Sequence, residues 1–90
     1  PPWANGRGRG DARYGQQAYT TGYNDGYDEG LKDGRDRRRY DPADSGRYRD
    51  ADRGYRGSWG SREDYRFWYR DGFRGGYDRG YQDARRYSYN

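Results

Sequence analysis

Ring residues, small residues and charges follow a four-residue beat over two stretches of this chain. The first reads Tyr19-Thr-Thr-Gly22, Tyr23-Asn-Asp-Gly26, Tyr27-Asp-Glu-Gly30 and Leu31-Lys-Asp-Gly34. Fifty positions on, it returns as Tyr69-Arg-Asp-Gly72, Phe73-Arg-Gly-Gly76, Tyr77-Asp-Arg-Gly80 and Tyr81-Gln-Asp-Ala84. In a strand, this spacing puts every ring on one face and every tetrad glycine on the other. In a helix, positions four apart stack into ridges, so the rings and the small residues form two adjacent rows. The ends of the stretches decide for the helix. Ser61 stands three residues before Asp64 in the manner of a capping box, and Glu63 and Asp64 put negative charge into a first turn. Arg35, Arg37, Arg38 and Arg39 put positive charge at the end of the first repeat, and Pro42 then blocks its continuation.

The pattern predicts long helices over 13–39 and 62–87. A short helix over 42–53 lies between them, begun by Asp41-Pro42, stopped by Gly54, and buried along Tyr48, Ala51 and Tyr55. The expected fold is all-α: a helical hairpin of two long Gly/Tyr-tetrad helices with a short connecting helix, spanning 13–90. Trp59 and Trp68 anchor its closed end. Residues 1–12, rich in Gly and Arg and without a period, form an extended arm.

Glycine inside a helix costs about 1 kcal/mol relative to alanine, so a row of it needs a compensating contact. The small row runs Ala18, Gly22, Gly26, Gly30 and Gly34 on the first helix and Gly72, Gly76, Gly80 and Ala84 on the second. The ring row runs Tyr19, Tyr23, Tyr27 and Leu31, then Tyr65, Tyr69, Phe73, Tyr77 and Tyr81. A glycine row is a groove and a ring row a ridge, and ridge enters groove. Residues 19–34 carry Asp25, Asp28, Glu29 and Asp33 against Lys32, a net of −3. Residues 66–81 carry Arg66, Arg70, Arg74 and Arg79 against Asp71 and Asp78, a net of +2. The two helices are therefore complementary, which selects register more than it adds stability.

Composition extends this reading outward. Only 28% of the residues are hydrophobic, and 13 tyrosines, 3 tryptophans and 2 phenylalanines supply most of that share. A helix pair has an inside and an outside, and both are lined with rings, so the rings are expected to be buried between chains in an oligomer or fibre. The expected assembly interface is the tetrad set from Tyr19 to Gly34 and from Tyr65 to Gly80 and Tyr81, with Trp3 of the arm reaching a neighbouring subunit. With no His and no Cys, imidazole bases, thiolate nucleophiles, zinc sites and disulfides are excluded. The carboxylate pairs Asp28/Glu29 and Glu63/Asp64 have no apolar pocket to raise a pKa and do not match a calcium loop. The chain is accordingly read as a non-enzyme without cofactor or metal.

No apolar run is long enough to cross a membrane; the longest is Phe67-Trp68-Tyr69. A chain opening on Pro1-Pro2-Trp3 suits a mature, secreted protein after leader removal, which makes the expected role that of an extracellular structural protein. The alternative is a flexible Arg/Gly/Tyr binder of RNA or another polyanion, an acidic polysaccharide included. It would work through Gly6-Arg7-Gly8-Arg9-Gly10 and Arg37 to Arg39, against the repulsion of the interspersed Asp. The run Gly22-Tyr-Asn-Asp-Gly26-Tyr-Asp-Glu-Gly30 and its echo Asp71-Gly-Phe-Arg-Gly-Gly-Tyr-Asp-Arg-Gly80 resemble small bacterial proteins built from Gly-Tyr-x-Asp-Gly tetrads. That resemblance implies a bacterial origin and brings no activity or functional residue with it. Gly75 in place of a charged residue and Ala84 in place of Gly depart from the pattern.

Overall fold

Two long helices lie side by side and run in the same direction. The computed structural model describes residues 12–87, so the arm and its Trp3 lie outside the described residues. Helix α1 spans Ala12–Arg35, a 3-10 turn spans Pro42–Asp44, α2 spans Gly46–Asp50 and α3 spans Arg62–Tyr87. No strand occurs among the described residues.

Parallel packing corrects the expected hairpin. Gly22 lies against the backbone of Tyr69, Gly26 against Phe73 and Gly30 against Tyr77, so both residue numbers rise together along the contact. The reciprocal contacts are Gly72 on Tyr19, Gly76 on Tyr23 and Gly80 on Tyr27. Each pair becomes its mate when 50 is added to one number and subtracted from the other, so the two repeats are related by a pseudo-two-fold axis along the helices. A hairpin closes with a connection of about 2 to 8 residues. Here residues 36–61 instead return the full length of α1, about 36 Å, as a strap laid over the pair.

What enters the glycine groove is backbone and not a ring. A Cβ on Gly22, Gly26, Gly30, Gly72, Gly76 or Gly80 would stand 2.8–3.1 Å from a carbonyl carbon of the facing helix and would overlap its oxygen. The space admits only the second α-hydrogen of glycine, aimed at that oxygen, and such Cα–H···O contacts contribute about 0.5 to 1 kcal/mol each. Six of them offset much of the helix-propensity cost of glycine. With the backbones this close, the rings emerge on the two sides of the seam.

Helix α1 ends at Arg35, four residues short of expectation, because Arg37 turns left-handed with φ 60. The N–H of Arg38 bonds to the carbonyl of Asp33 at 2.8 Å, and that of Arg37 to Gly34 at 3.3 Å, the two bonds of a Schellman stop. The arginines at this end thus terminate a helix. Glycine adopts that conformation without a Cβ penalty, so Arg37→Gly is expected to raise stability by about 1 kcal/mol in a chemical denaturation series.

The connecting helix is shorter than expected as well. Asp41 makes no side-chain cap; Ser45 caps α2 instead, its Oγ accepting from the Arg47 N–H at 3.2 Å. Ala51, fully buried and at φ 53, ends α2 three residues before Gly54. At the start of α3, the Ser61 Oγ accepts from the Asp64 N–H at 3.0 Å.

Candidate functional site

The seam divides the helix pair into two faces with different fates. On one face the α3 rings form a ladder, with centroids 6.4 Å apart for Tyr65–Tyr69, 6.1 Å for Tyr69–Phe73, 6.3 Å for Phe73–Tyr77 and 5.9 Å for Tyr77–Tyr81. These offset stacks fall within the favourable range for aromatic pairs. The strap closes over them. Tyr40 meets Tyr77 and Tyr81 edge-on at 5.1 and 5.2 Å, Tyr48 meets Phe73 at 5.5 Å, and Tyr55 meets Tyr65 at 5.3 Å. Trp59 stacks between Tyr65 and Tyr14, which ties the strap to the start of α1; no closed end exists for it to anchor.

Each buried phenol on this face finds an acceptor, as a buried hydroxyl requires. Tyr65 donates to the carbonyl of Arg53 at 2.5 Å, Tyr69 to Asp25 at 2.5 Å, Tyr77 to Asp33 at 2.5 Å and Tyr81 to the carbonyl of Arg38 at 2.6 Å. The tyrosines of α3 therefore reach across to α1 and to the strap.

Asp25 is the centre of this arrangement. Its side chain is 2% exposed and receives both arms of the Arg53 guanidinium at 2.8 and 2.9 Å, together with the Tyr69 hydroxyl. Arg47 adds charge at 3.6 Å. Burial pushes the carboxyl up, but the hydrogen bonds from Arg53 and Tyr69 and the charges of Arg53 and Arg47 outweigh it and hold the group below its usual value. Burial, then the bond to Asp25, drives the Tyr69 phenol well above its ordinary range. An acid held ionised and a phenol held neutral exchange no proton near neutral pH. The cluster latches the strap to α1, and a composition count gives no sign of it, because Asp25 looks like any tetrad acid.

The opposite face carries the two-fold mates of these residues. Tyr27 donates to Asp83 at 2.7 Å, mirroring Tyr77 on Asp33. Arg79 pairs with the same Asp83 at 3.2 Å. The mate of Asp25 is Gly75, which sits beneath the Tyr19 hydroxyl and the Tyr23 ring. The acid thus occurs only on the face where the strap delivers arginines to neutralise it. No part of the strap covers Tyr19, Tyr23, Tyr27 and Leu31, which remain half-buried.

The residues expected to form an intermolecular groove are consequently split. Gly22, Gly26, Gly30, Gly34, Gly72, Gly76 and Gly80 close against the partner helix of the same chain, and Tyr65, Tyr69, Phe73, Tyr77 and Tyr81 lie under the strap. Only Tyr19, Tyr23 and Tyr27 lie on the face that the strap does not cross. Among the described residues, no cluster of acids is grouped as a metal site requires, and no helix is long and apolar enough to cross a membrane. No protein-family model matches the chain, and neither the curated proteins nor the solved structures contain a match.

Proposed function

We propose that the protein is a structural subunit of an extracellular assembly and that it self-associates through the tyrosine face of the helix pair that residues 36–61 do not cross. The observation that carries this reading is the inequality of two pseudo-equivalent faces. One is shut by residues 36–61, while its two-fold mate presents Tyr19, Tyr23, Tyr27 and Leu31 half-buried. A second copy is the occupant that best suits the face. Its rim carries both signs in the Arg79–Asp83 pair beside Tyr27, so two copies about a two-fold axis can set acid against base. Such a pair closes on itself, and growth into a filament needs a further contact. Tyr40, 45% exposed on the strap side, is the most open ring there. An extracellular setting belongs to the same proposal; the chain has no thiol, so its fold depends on no disulfide.

Sedimentation velocity over a rising concentration series tests the reading. Wild-type protein is expected to shift from one copy to larger species, and Tyr23→Glu to stay a single copy with its helical circular dichroism intact. Unchanged association in a folded Tyr23→Glu protein overturns the assignment of this face.

A further inference from the structure

A third surface lies on α3, along the edge of the strap. Arg66, Arg70 and Arg74 follow one another at four-residue steps, about 6 Å apart along the axis. With Glu63 and Phe67 they line an open cavity of about 390 Å³. The guanidiniums are held in place from the strap side. Arg66 donates to the carbonyl of Arg49 at 3.3 Å, and Arg70 donates to the carbonyls of Tyr48 and Arg49. Arg74 donates to the Tyr48 hydroxyl at 2.8 Å and to Asp71 at 3.0 Å. None of these bonds uses up a fork with five donors, so each arginine is fixed in orientation and retains N–H groups for another acceptor. Only Asp71 among these acceptors carries charge. The Arg66 Nε is shut away from solvent without an acceptor among the described residues. Beside the ladder, Phe67 is 41% exposed and packs edge-to-face on the buried Trp68 at 4.9 Å, which steadies its ring.

We infer that this strip binds single-stranded nucleic acid, with Arg66, Arg70 and Arg74 meeting successive phosphates and Phe67 stacking on a base. A ladder of charges at regular spacing matches a polymer with one anionic group per unit. An exposed ring beside that ladder matches a polymer whose units also carry flat faces, the combination used in sequence-tolerant single-strand binding. Pre-orientation by the strap lowers the ordering cost that flexible surface arginines incur on binding. The strip shares no residue with the tyrosine face proposed for self-association, so either proposal can fail without the other.

The test is fluorescence anisotropy of labelled 12-nucleotide oligo-dT and oligo-U titrated with the full chain between 25 and 200 mM NaCl. The expected result is binding whose affinity falls with salt. Phe67→Ala should weaken binding about tenfold with an unchanged salt slope, and Phe67→Tyr should restore it. Arg66→Gln/Arg74→Gln, which leaves the strap bonds of Arg70 in place, should reduce the log–log salt slope by about 1.4. The tighter of the two probes identifies the natural polymer. The inference is overturned if affinity is unmoved by these changes in proteins with wild-type circular dichroism. It is equally overturned if affinity follows Arg7→Gln/Arg9→Gln in the arm instead, or if dextran sulfate competes on equal terms and Phe67→Ala has no effect.

Discussion

Gly26→Ala is expected to destabilise the fold by about 3 kcal/mol or more, while Gly75→Ala is expected to stabilise it by about 0.5 to 1 kcal/mol. Both glycines sit inside long helices, where alanine is ordinarily the better residue. At Gly26 the new Cβ would stand 2.8 Å from the carbonyl carbon of Phe73 and 2.9 Å from its Cα. Two backbones are in contact there, and neither can swing aside as a side chain can. The helices must separate, which strips the adjoining Cα–H···O contacts and opens the ring ladder. At Gly75 the nearest atoms are the Tyr19 hydroxyl at 3.4 Å and the Tyr23 ring at 3.6 Å, an ordinary contact that gains surface without strain. Urea denaturation followed by circular dichroism measures both. Equal responses at the two positions would refute the seam, since propensity alone does not distinguish them.

Asp25→Asn should cost about 2 to 3 kcal/mol at neutral pH and should flatten the loss of stability in acid. Removing one partner of a fully buried ion pair costs about 3 to 5 kcal/mol. The figure here is lower because the Arg53 side chain is 64% exposed and rehydrates when released. For pH, the Asp25 carboxyl sits below its usual value in the folded protein. Its contribution is therefore fully present above the unfolded carboxylate value of roughly 3.9 and is lost as pH falls through the folded one. The difference in stability between wild type and Asp25→Asn should accordingly shrink as pH is lowered from 5. Asp83, held low first by the Tyr27 hydroxyl against the opposing effect of burial, and further by Arg79 and Arg86, adds to the acid sensitivity that remains in the variant. A constant gap between the two proteins across this range would show that Asp25 does not anchor the strap through its charge.

These two expectations explain why a chain with so few aliphatic residues folds around itself. Tyr69, Phe73 and Tyr77 are fully buried within one copy because the strap supplies a third layer over the helix pair. Two helices, each with rings to spare, predict a surplus to be buried by neighbouring molecules. The connection, expected as a short helix over 42–53 buried along Tyr48, Ala51 and Tyr55, is a longer strap over 36–61. Tyr40, Tyr48, Tyr55 and Trp59 lie at intervals along residues 36–61 that match the rungs of the α3 ladder in reverse order. That match was present in the sequence as a spacing of rings, but it acquires meaning only once the strap is known to run back along α3.

The helical class was legible in residue order alone. A four-residue beat with capping and charge signals at its ends is a local property, set by side chains one turn apart, and local rules suffice for it. The direction of one helix relative to the other was not legible. Glycine rows permit close approach in either sense, and the charges of −3 and +2 attract in both. Tertiary structure settled the matter through contacts distant in the chain: carbonyls of one repeat facing glycines of the other in equal register, and Arg53 brought from the strap to Asp25. The same contacts separate chemically alike residues into different roles. Tyr27 and Tyr77 occupy equivalent positions in their tetrads, yet one remains half-exposed and the other lies under the strap, because a single chain has one connecting segment and can cover only one of two equivalent faces.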